Sequence, residues 1–161
     1  MRQRIRLFSI GAVIALGIVA IPAHAQQERA KQEEDDAYRK MSATFFQMLQ
    51  QGQAAEGVDY LLSTNPQMKK APDRIGREKS EFASLEGRMG PYISHTKLAE
   101  TRVAGMFVYQ HYFVAYERQP ISVRIKYYKP GATWFCYSLQ FDTEIDDLIQ
   151  QQTDDKLPVV K

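Results

Sequence analysis

The segment VAGMFVYQHYFVAYERQPISVRIKYYKPGATWFCYSLQFD, residues 103–142, sets the architecture of this chain. Apolar, β-branched and aromatic residues dominate it, which is typical of strands. The two interruptions in the pattern, Gln119-Pro120 and Lys129-Pro130-Gly131-Ala132, indicate turns. The segment therefore predicts three long antiparallel strands in a meander. A shorter strand over residues 97–104 precedes them and turns at Gly105.

The side chains of these strands alternate in two different ways. The strand at residues 106–118 is apolar on both faces, which predicts cover on both sides. The next two strands instead pair an apolar face with a mixed polar and aromatic face. The apolar face is predicted to hold Ile121, Val123, Ile125, Tyr127, Phe135, Tyr137, Leu139 and Phe141. The mixed face is predicted to hold Arg124, Lys126, Tyr128, Trp134, Ser138 and Gln140.

Upstream of the strands, apolar residues recur at helical spacing. One stripe begins at Tyr38 and stops near Gly52, a short helical segment follows up to Pro66, and a third helix opens at Pro72. Residues 26–36 are polar and form either a solvated lead-in or the start of the first helix. A short acidic helix follows residue 142, and residues 151–161 form a loose tail. We predict an α+β fold over residues 37–150, with three helices covering about four antiparallel strands.

The chain opens with the features of a secretory signal. Arg2, Arg4 and Arg6 precede an apolar run over residues 7–21, and Pro22-Ala23-His24-Ala25 ends it. This pattern predicts a signal peptide over residues 1–25 that is cleaved after Ala25. The competing interpretation is a membrane anchor, but the run is shorter than the roughly 20 residues that a bilayer core requires. We expect a periplasmic protein that meets the membrane only during export.

Charge and cysteine content narrow the choice of partners. Cleavage removes three arginines and no acid, which leaves 18 basic against 19 acidic side chains. The precursor's excess of positive charge belongs to the leader, so a nucleic-acid partner has no support. Cys136 is the only cysteine, so no internal disulfide forms, and its position within a strand predicts a buried thiol.

Several motifs of the chain resemble a known superfamily. These are an aromatic first helix, the segments AEGVDYLLS and RMGPY, the strand ends YERQP and YYKPGATW, and the closing LQFD. Together they are similar to the nuclear transport factor 2-like, or cystatin-like, superfamily, and in particular to small exported bacterial proteins of unassigned function. The resemblance implies a curved sheet wrapped around a long helix as a cone, often with a pocket in its mouth and often dimeric through the sheet. It does not select a function, because the superfamily contains enzymes, binding modules and assembly factors.

No catalytic signature accompanies these motifs. The ketosteroid isomerases and scytalone dehydratase, enzymes similar to this fold, use carboxylates or histidines aimed into the cone. Here the three long strands carry acids only at their ends, Glu117 and Asp142. His111 lies within a strand and His95 is placed in a loop, while a Cys136–His111 pair depends on an unknown register. The sequence predicts no catalytic residue, cofactor or metal ligand, and whether the protein is an enzyme stays open.

Two hypotheses remain. The first is a periplasmic, non-catalytic binding or interaction module that forms a homodimer, or contacts another partner, through the mixed face of the sheet. Arginine and large aromatic residues on such a face are typical of protein interfaces. The second is a small-molecule carrier or cryptic enzyme that uses the cone mouth. Its predicted pocket residues are Tyr60, Tyr92, Tyr109 and His111.

Overall fold

The computed structural model describes residues 23–146 and residue 150, with side chains from Ala37 onward. Residues 1–22 of the predicted signal peptide (residues 1–25) and the predicted tail over residues 151–161 lie outside the described residues. Four helices precede four strands. The helices are α1 (Ala23–Gln50), α2 (Ala54–Ser63), α3 (Pro66–Lys69) and α4 (Pro72–Met89). The strands are β1 (Tyr92–Val103), β2 (Phe107–Tyr116), β3 (Ile121–Tyr128) and β4 (Phe135–Asp142).

The strands form one antiparallel sheet in the order β1-β2-β3-β4, and the helices cover one of its faces. We call this covered side the inner face and the opposite side the outer face. The α+β architecture predicted from the sequence is therefore confirmed, with the four-residue α3 as an additional helix. Helix α1 starts at Ala23, so cleavage after Ala25 would leave the helix from Gln26 onward.

The core lies between the inner face and the apolar stripes of α1, α2 and α4. Tyr38, Phe45, Leu49, Val58 and Phe82 are fully buried on the helix side. The sheet contributes Val108, Tyr112, Val114, Val123, Ile125 and Tyr127. Removal of this much apolar surface from water is the main source of stability in a chain whose single cysteine is unpaired.

Within the described residues, helices cover one side of β2, so the predicted cover of its second side stays a prediction. Its residues alternate strictly, with Val108, Gln110, Tyr112, Val114 and Tyr116 buried and the residues between them half-buried. The described helices lie against the first set. The aromatic residues of the outer face therefore keep part of their surface in contact with solvent.

Strand β1 starts five residues before its predicted beginning at residue 97. Two irregularities in its pairing with β2, between Tyr92 and Ser94 and between Lys97 and Ala99, shift the register. Each irregularity inserts one extra residue, Ile93 and Leu98, which breaks the alternation that marks a strand in sequence. Ile93 is consequently 62% exposed.

A similar irregularity in β4 reverses part of the predicted face assignment. Tyr127 pairs with Cys136 while Lys126 pairs with Ser138, so Tyr137 is the extra residue. Trp134 and Cys136 therefore point inward and are buried, at 2% and 0% exposure, whereas Tyr137 is 57% exposed. The sequence prediction placed these three residues on the wrong faces because it assumed unbroken alternation.

The free edge of β4 is capped by side chains at the end of α2. The Thr64 hydroxyl accepts a hydrogen bond from the Cys136 backbone N–H at 2.8 Å. The Asn65 amide donates to the Cys136 carbonyl at 3.2 Å. Asn65 also caps α3, because its Oδ1 accepts from the Gln67 N–H at 2.9 Å. Two backbone groups of an edge strand are thus satisfied within the chain.

Candidate functional site

A polar network crosses the inner face and centres on Gln110, which is 1% exposed. Its Oε1 accepts hydrogen bonds from Ser42 at 2.6 Å and from Tyr112 at 3.0 Å. Its amide nitrogen donates to Glu100 at 3.0 Å. With the Ser42 proton committed to Gln110, the Tyr127 hydroxyl donates to Ser42 at 2.7 Å. The network therefore joins α1 to three strands. Its hydrogen bonds run from Tyr127 through Ser42 and Gln110 to Glu100, which accepts the last one.

Glu100 is the acceptor at the end of this network. Its two oxygens also accept hydrogen bonds from Tyr38 at 2.8 Å, from Arg39 at 3.2 Å and from Lys97 at 2.6 Å. Desolvation alone would raise the pKa of this carboxyl, but the hydrogen bonds from Lys97, Tyr38 and Gln110 outweigh it and lower the pKa to about 2. Glu100 stays ionised through the neutral range, so it is unsuited to carry protons as an acid or base catalyst.

Sequence reasoning missed this carboxylate. It examined the three long strands and found acids only at their ends, while Glu100 lies within β1 and faces the helices. The available signal was the spacing of Lys97, Glu100 and Arg102 on β1. Their direct partners on β2 are the inward residues Tyr112, Gln110 and Val108. Recognising it required the bulge at Leu98, which the sequence does not mark.

The two histidines of the sheet, His95 and His111, lie on its opposite faces. His95 belongs to β1 and not to a loop, where its ring stacks on Phe46 at 3.9 Å and its Nδ1 contacts the Tyr92 hydroxyl at 2.5 Å. His111 lies on the outer face, with Nε2 2.8 Å from the Ser122 hydroxyl. Burial lowers the pKa of both histidines, and the positive charge of Arg124 lowers that of His111 further. Both rings are therefore neutral at pH 7.

The possible Cys136–His111 pair is excluded by the register. Cys136 pairs with Tyr127 on the inner face, whereas His111 lies opposite Arg124 on the outer face. Burial raises the pKa of the Cys136 thiol to about 12, so the reactive thiolate is scarce at neutral pH. The thiol is buried as predicted.

The four predicted pocket residues do not line one pocket. Tyr60 is half-buried against the core, and Tyr92 lines a cavity at the end of the sheet. Tyr109 and His111 lie on the outer face, with ring centres 6.1 Å apart. The prediction of a shared cone pocket for these residues is therefore wrong.

Five of the six predicted interface residues do share the outer face. They are Arg124, Lys126, Tyr128, Ser138 and Gln140, which lie on neighbouring positions of β3 and β4. Arg124 also lies 3.6 Å from the Asp142 carboxylate in a half-exposed ion pair. The sixth, Trp134, is wrong, because its ring packs against Tyr38 in the core at 5.2 Å.

The outer face also carries an aromatic cluster that the sequence prediction only partly contained. Tyr128 contacts Phe107, Phe135 and Tyr137, with ring centres 6.5, 5.7 and 6.4 Å apart. Phe107 and Tyr137 approach each other at 6.1 Å. We call these four residues the outer aromatic cluster. Phe135 and Tyr137 had been assigned to the core, so the bulge in β4 enlarges the cluster.

Within the described residues, no three metal-ligating side chains come together in a group that would hold an ion. Among the helices of that same part of the chain, none combines the length and the apolar character that crossing a bilayer requires.

Comparisons with known proteins add one structural similarity. A scan of protein-family models and a search of curated proteins found no match. Among solved structures, a Campylobacter jejuni protein provisionally named an NTF2-like transpeptidase matches with a TM-score of 0.46 and 18% identity, over 61% of this chain and 94% of that one. Helices followed by a four-stranded meander, with one face covered, are the arrangement that the sequence resemblance implies.

The chain has an α+β fold in which helices cover one face of a four-stranded antiparallel meander. The fold alone does not choose between the two hypotheses. The choice depends on the side chains. On the inner face they form a network whose hydrogen bonds are made within the chain, and on the outer face they form the outer aromatic cluster.

Proposed function

We propose that this protein is an exported, periplasmic, non-catalytic interaction module that self-associates through the outer face of its sheet. The observation that carries the proposal is the outer aromatic cluster. Its four rings contact one another, and Tyr137 is 57% exposed. Contiguous aromatic surface of this kind is typical of protein interfaces.

The surroundings of the cluster favour a second copy of the chain as its partner. A twofold axis through the cluster would place aromatic rings on aromatic rings, which suits an interface made of one patch twice. Arg124, Lys126 and Gln140 lie beside the cluster on β3 and β4 and supply a polar rim. Exposed Val103 and Met106, at 56% and 40%, extend the apolar area next to Phe107.

The inner face supports a non-catalytic role. Glu100 is held ionised by its donors, Cys136 is protonated and buried, and the two histidines lie on different faces. A nucleophile or general base needs a partner within hydrogen-bond reach and an open position for substrate. His111 and Ser122 are in reach of each other, but Ser122 is only 5% exposed.

The dimer is tested by sedimentation of the protein that begins at Gln26, over a range of concentrations. We expect a monomer–dimer equilibrium in which Tyr137→Ser weakens association about ten-fold or more, roughly 1.4 kcal/mol. The matched control is Ile93→Ser. Ile93 is similarly exposed, at 62%, but lies at the start of β1, at the end of the sheet away from the outer aromatic cluster. A protein that stays monomeric into the millimolar range, or loses association equally with Ile93→Ser, contradicts the proposal.

Export is tested separately. Expression of the full chain in a bacterium with a periplasm, followed by fractionation and mass measurement, should give a periplasmic product that begins at Gln26. Ala25→Arg should block the cut, because the position before a signal cleavage site requires a small residue. Recovery of the uncut chain from the cytoplasm contradicts this part of the proposal.

A further inference from the structure

An open cavity lies at the end of the sheet, away from the outer aromatic cluster. It has a volume of about 760 Å³, within the usual range for small-molecule sites. The C-terminal ends of α1 and α4 and the start of β1 line it. Residues that line it include Glu86, Tyr92 and Arg118.

Glu86 is a carboxyl group without a partner. It is half-buried on α4 and makes no hydrogen bond or ion pair with any described residue. Burial raises its pKa, and the negative charge of Glu56 raises it further. The ends of α1 and α4 add the partial negative charge of their last carbonyl groups. A cation placed beside Glu86 would relieve all three unfavourable effects.

Tyr116 supplies a second polar group without a partner. It is 4% exposed, and its hydroxyl oxygen is buried without a hydrogen-bond partner among the described residues. Its ring packs edge-on against Tyr92, which lines the cavity, with centres 5.9 Å apart. Burial, and next the charge of Glu86, raise the pKa of Tyr116. Tyr116 does not line the cavity itself, so it forms a polar position behind the Tyr92 wall.

Arg118 places a positive charge at the rim of the same cavity. One of its terminal nitrogens donates to the Arg88 carbonyl at 3.0 Å, which fixes the guanidinium next to the end of α4. A guanidinium has five N–H groups, so others remain for a ligand. The cavity thus has an acid inside and a cation at its entrance. That order suits a molecule with a positive end that enters first and a negative end that follows.

We propose that this cavity, the Glu86 cavity, binds a small zwitterion whose ammonium group contacts Glu86 and whose carboxylate contacts Arg118. Free amino acids and short ω-amino acids belong to this class. The ring of Tyr92 offers an aromatic wall beside the ammonium. The site shares no residue with the outer aromatic cluster, so ligand binding can be tested independently of self-association.

The test is a calorimetric titration with three ω-amino acids of increasing span, namely glycine, γ-aminobutyrate and 6-aminohexanoate. Butylammonium and butyrate serve as probes with a single charge. We expect saturable binding of at least one zwitterion, at least ten-fold tighter than butylammonium, and no measurable binding of butyrate. Glu86→Gln and Arg118→Gln should each weaken zwitterion binding at least ten-fold.

Matched controls come from the same helix. Glu81→Gln and Arg77→Gln remove exposed charges of α4 outside the cavity and should leave binding unchanged. Thermal unfolding followed by circular dichroism shows whether each variant is folded. If none of the three zwitterions binds to the wild type, or if Glu86→Gln binds as well as Glu81→Gln does, the proposal is wrong. Equal affinity for butylammonium also overturns it, because Arg118 would then contribute nothing.

Discussion

The two faces of the sheet are made by the same four strands but differ in polarity and exposure. On the inner face, Glu100 and Gln110 lie among apolar side chains, and each has partners within the chain. On the outer face, the aromatic rings contact one another, and Tyr137 is 57% exposed. Buried polar groups with complete hydrogen bonding specify one packing arrangement. Exposed aromatic rings leave contact surface for another molecule. The inner face thus stabilises the fold, and the outer face is suited to recognition.

The largest difference in stability between substitutions on the two faces is expected at Trp134, just before β4, and at Tyr137 within it. Trp134→Ala should lower the free energy of unfolding by about 3–5 kcal/mol, because it empties a core site against Tyr38. Trp134→Phe should cost less, since the indole N–H makes no hydrogen bond with described residues. Tyr137→Ala should change stability by less than about 1 kcal/mol. Urea unfolding measures all three, and equal losses at residues 134 and 137 would refute the bulge.

The inner polar network should be the next most sensitive feature. Gln110→Ala leaves the Ser42 and Tyr112 hydroxyls and Glu100 each short of one partner, and unsatisfied buried groups cost about 1–3 kcal/mol each. Because water can enter the new space, we expect a total loss of about 2–4 kcal/mol in urea unfolding. The control is Gln140→Ala on the outer face, which should stay within about 0.5 kcal/mol. Similar losses for the two variants would mean that the network does not act as described.

The smallest of the expected differences is a dependence on pH. The pKa of Glu100 is about 2 in the folded chain and near 4.3 when unfolded. Its stabilising effect is therefore complete above about pH 4.5 and is lost as the pH falls toward 2. Relative to Glu100→Gln, the wild type should lose on the order of 2 kcal/mol over this window. Exposed Glu81→Gln should show no such difference from the wild type. Parallel curves for wild type and Glu100→Gln between pH 5 and 2.5 would contradict the assignment.

The sequence predicted the features that depend on periodicity and turn residues. Helix α1 ends just before Gly52, α2 ends at Ser63 ahead of Pro66, and α4 opens at Pro72, because proline and glycine constrain the backbone locally. The strands β2 and β3 were placed within two residues for the same reason. The outer positions of Arg124, Lys126 and Tyr128 also followed from simple alternation, since β3 is regular along its length.

The rest depends on register and on contacts far apart in sequence. Trp134 and Tyr137 were assigned to the wrong faces because the extra residue Tyr137 reverses the alternation of the preceding residues relative to the rest of β4. The network joins Ser42 to Gln110 and Tyr38 to Glu100, which are more than 60 residues apart. No local pattern shows which polar residue of β1 will meet α1. The Glu86 cavity likewise depends on how the ends of two helices meet.

The capping of β4 limits how this protein can assemble. Thr64 and Asn65 occupy the backbone groups of Cys136, and the opposite edge strand is interrupted by two bulges and carries inward charges. An approaching strand of another chain would find neither edge open as a regular template. Growth of the sheet into ribbons or fibrils is therefore disfavoured at both ends. The proposed self-association therefore uses the outer face and not the strand edges.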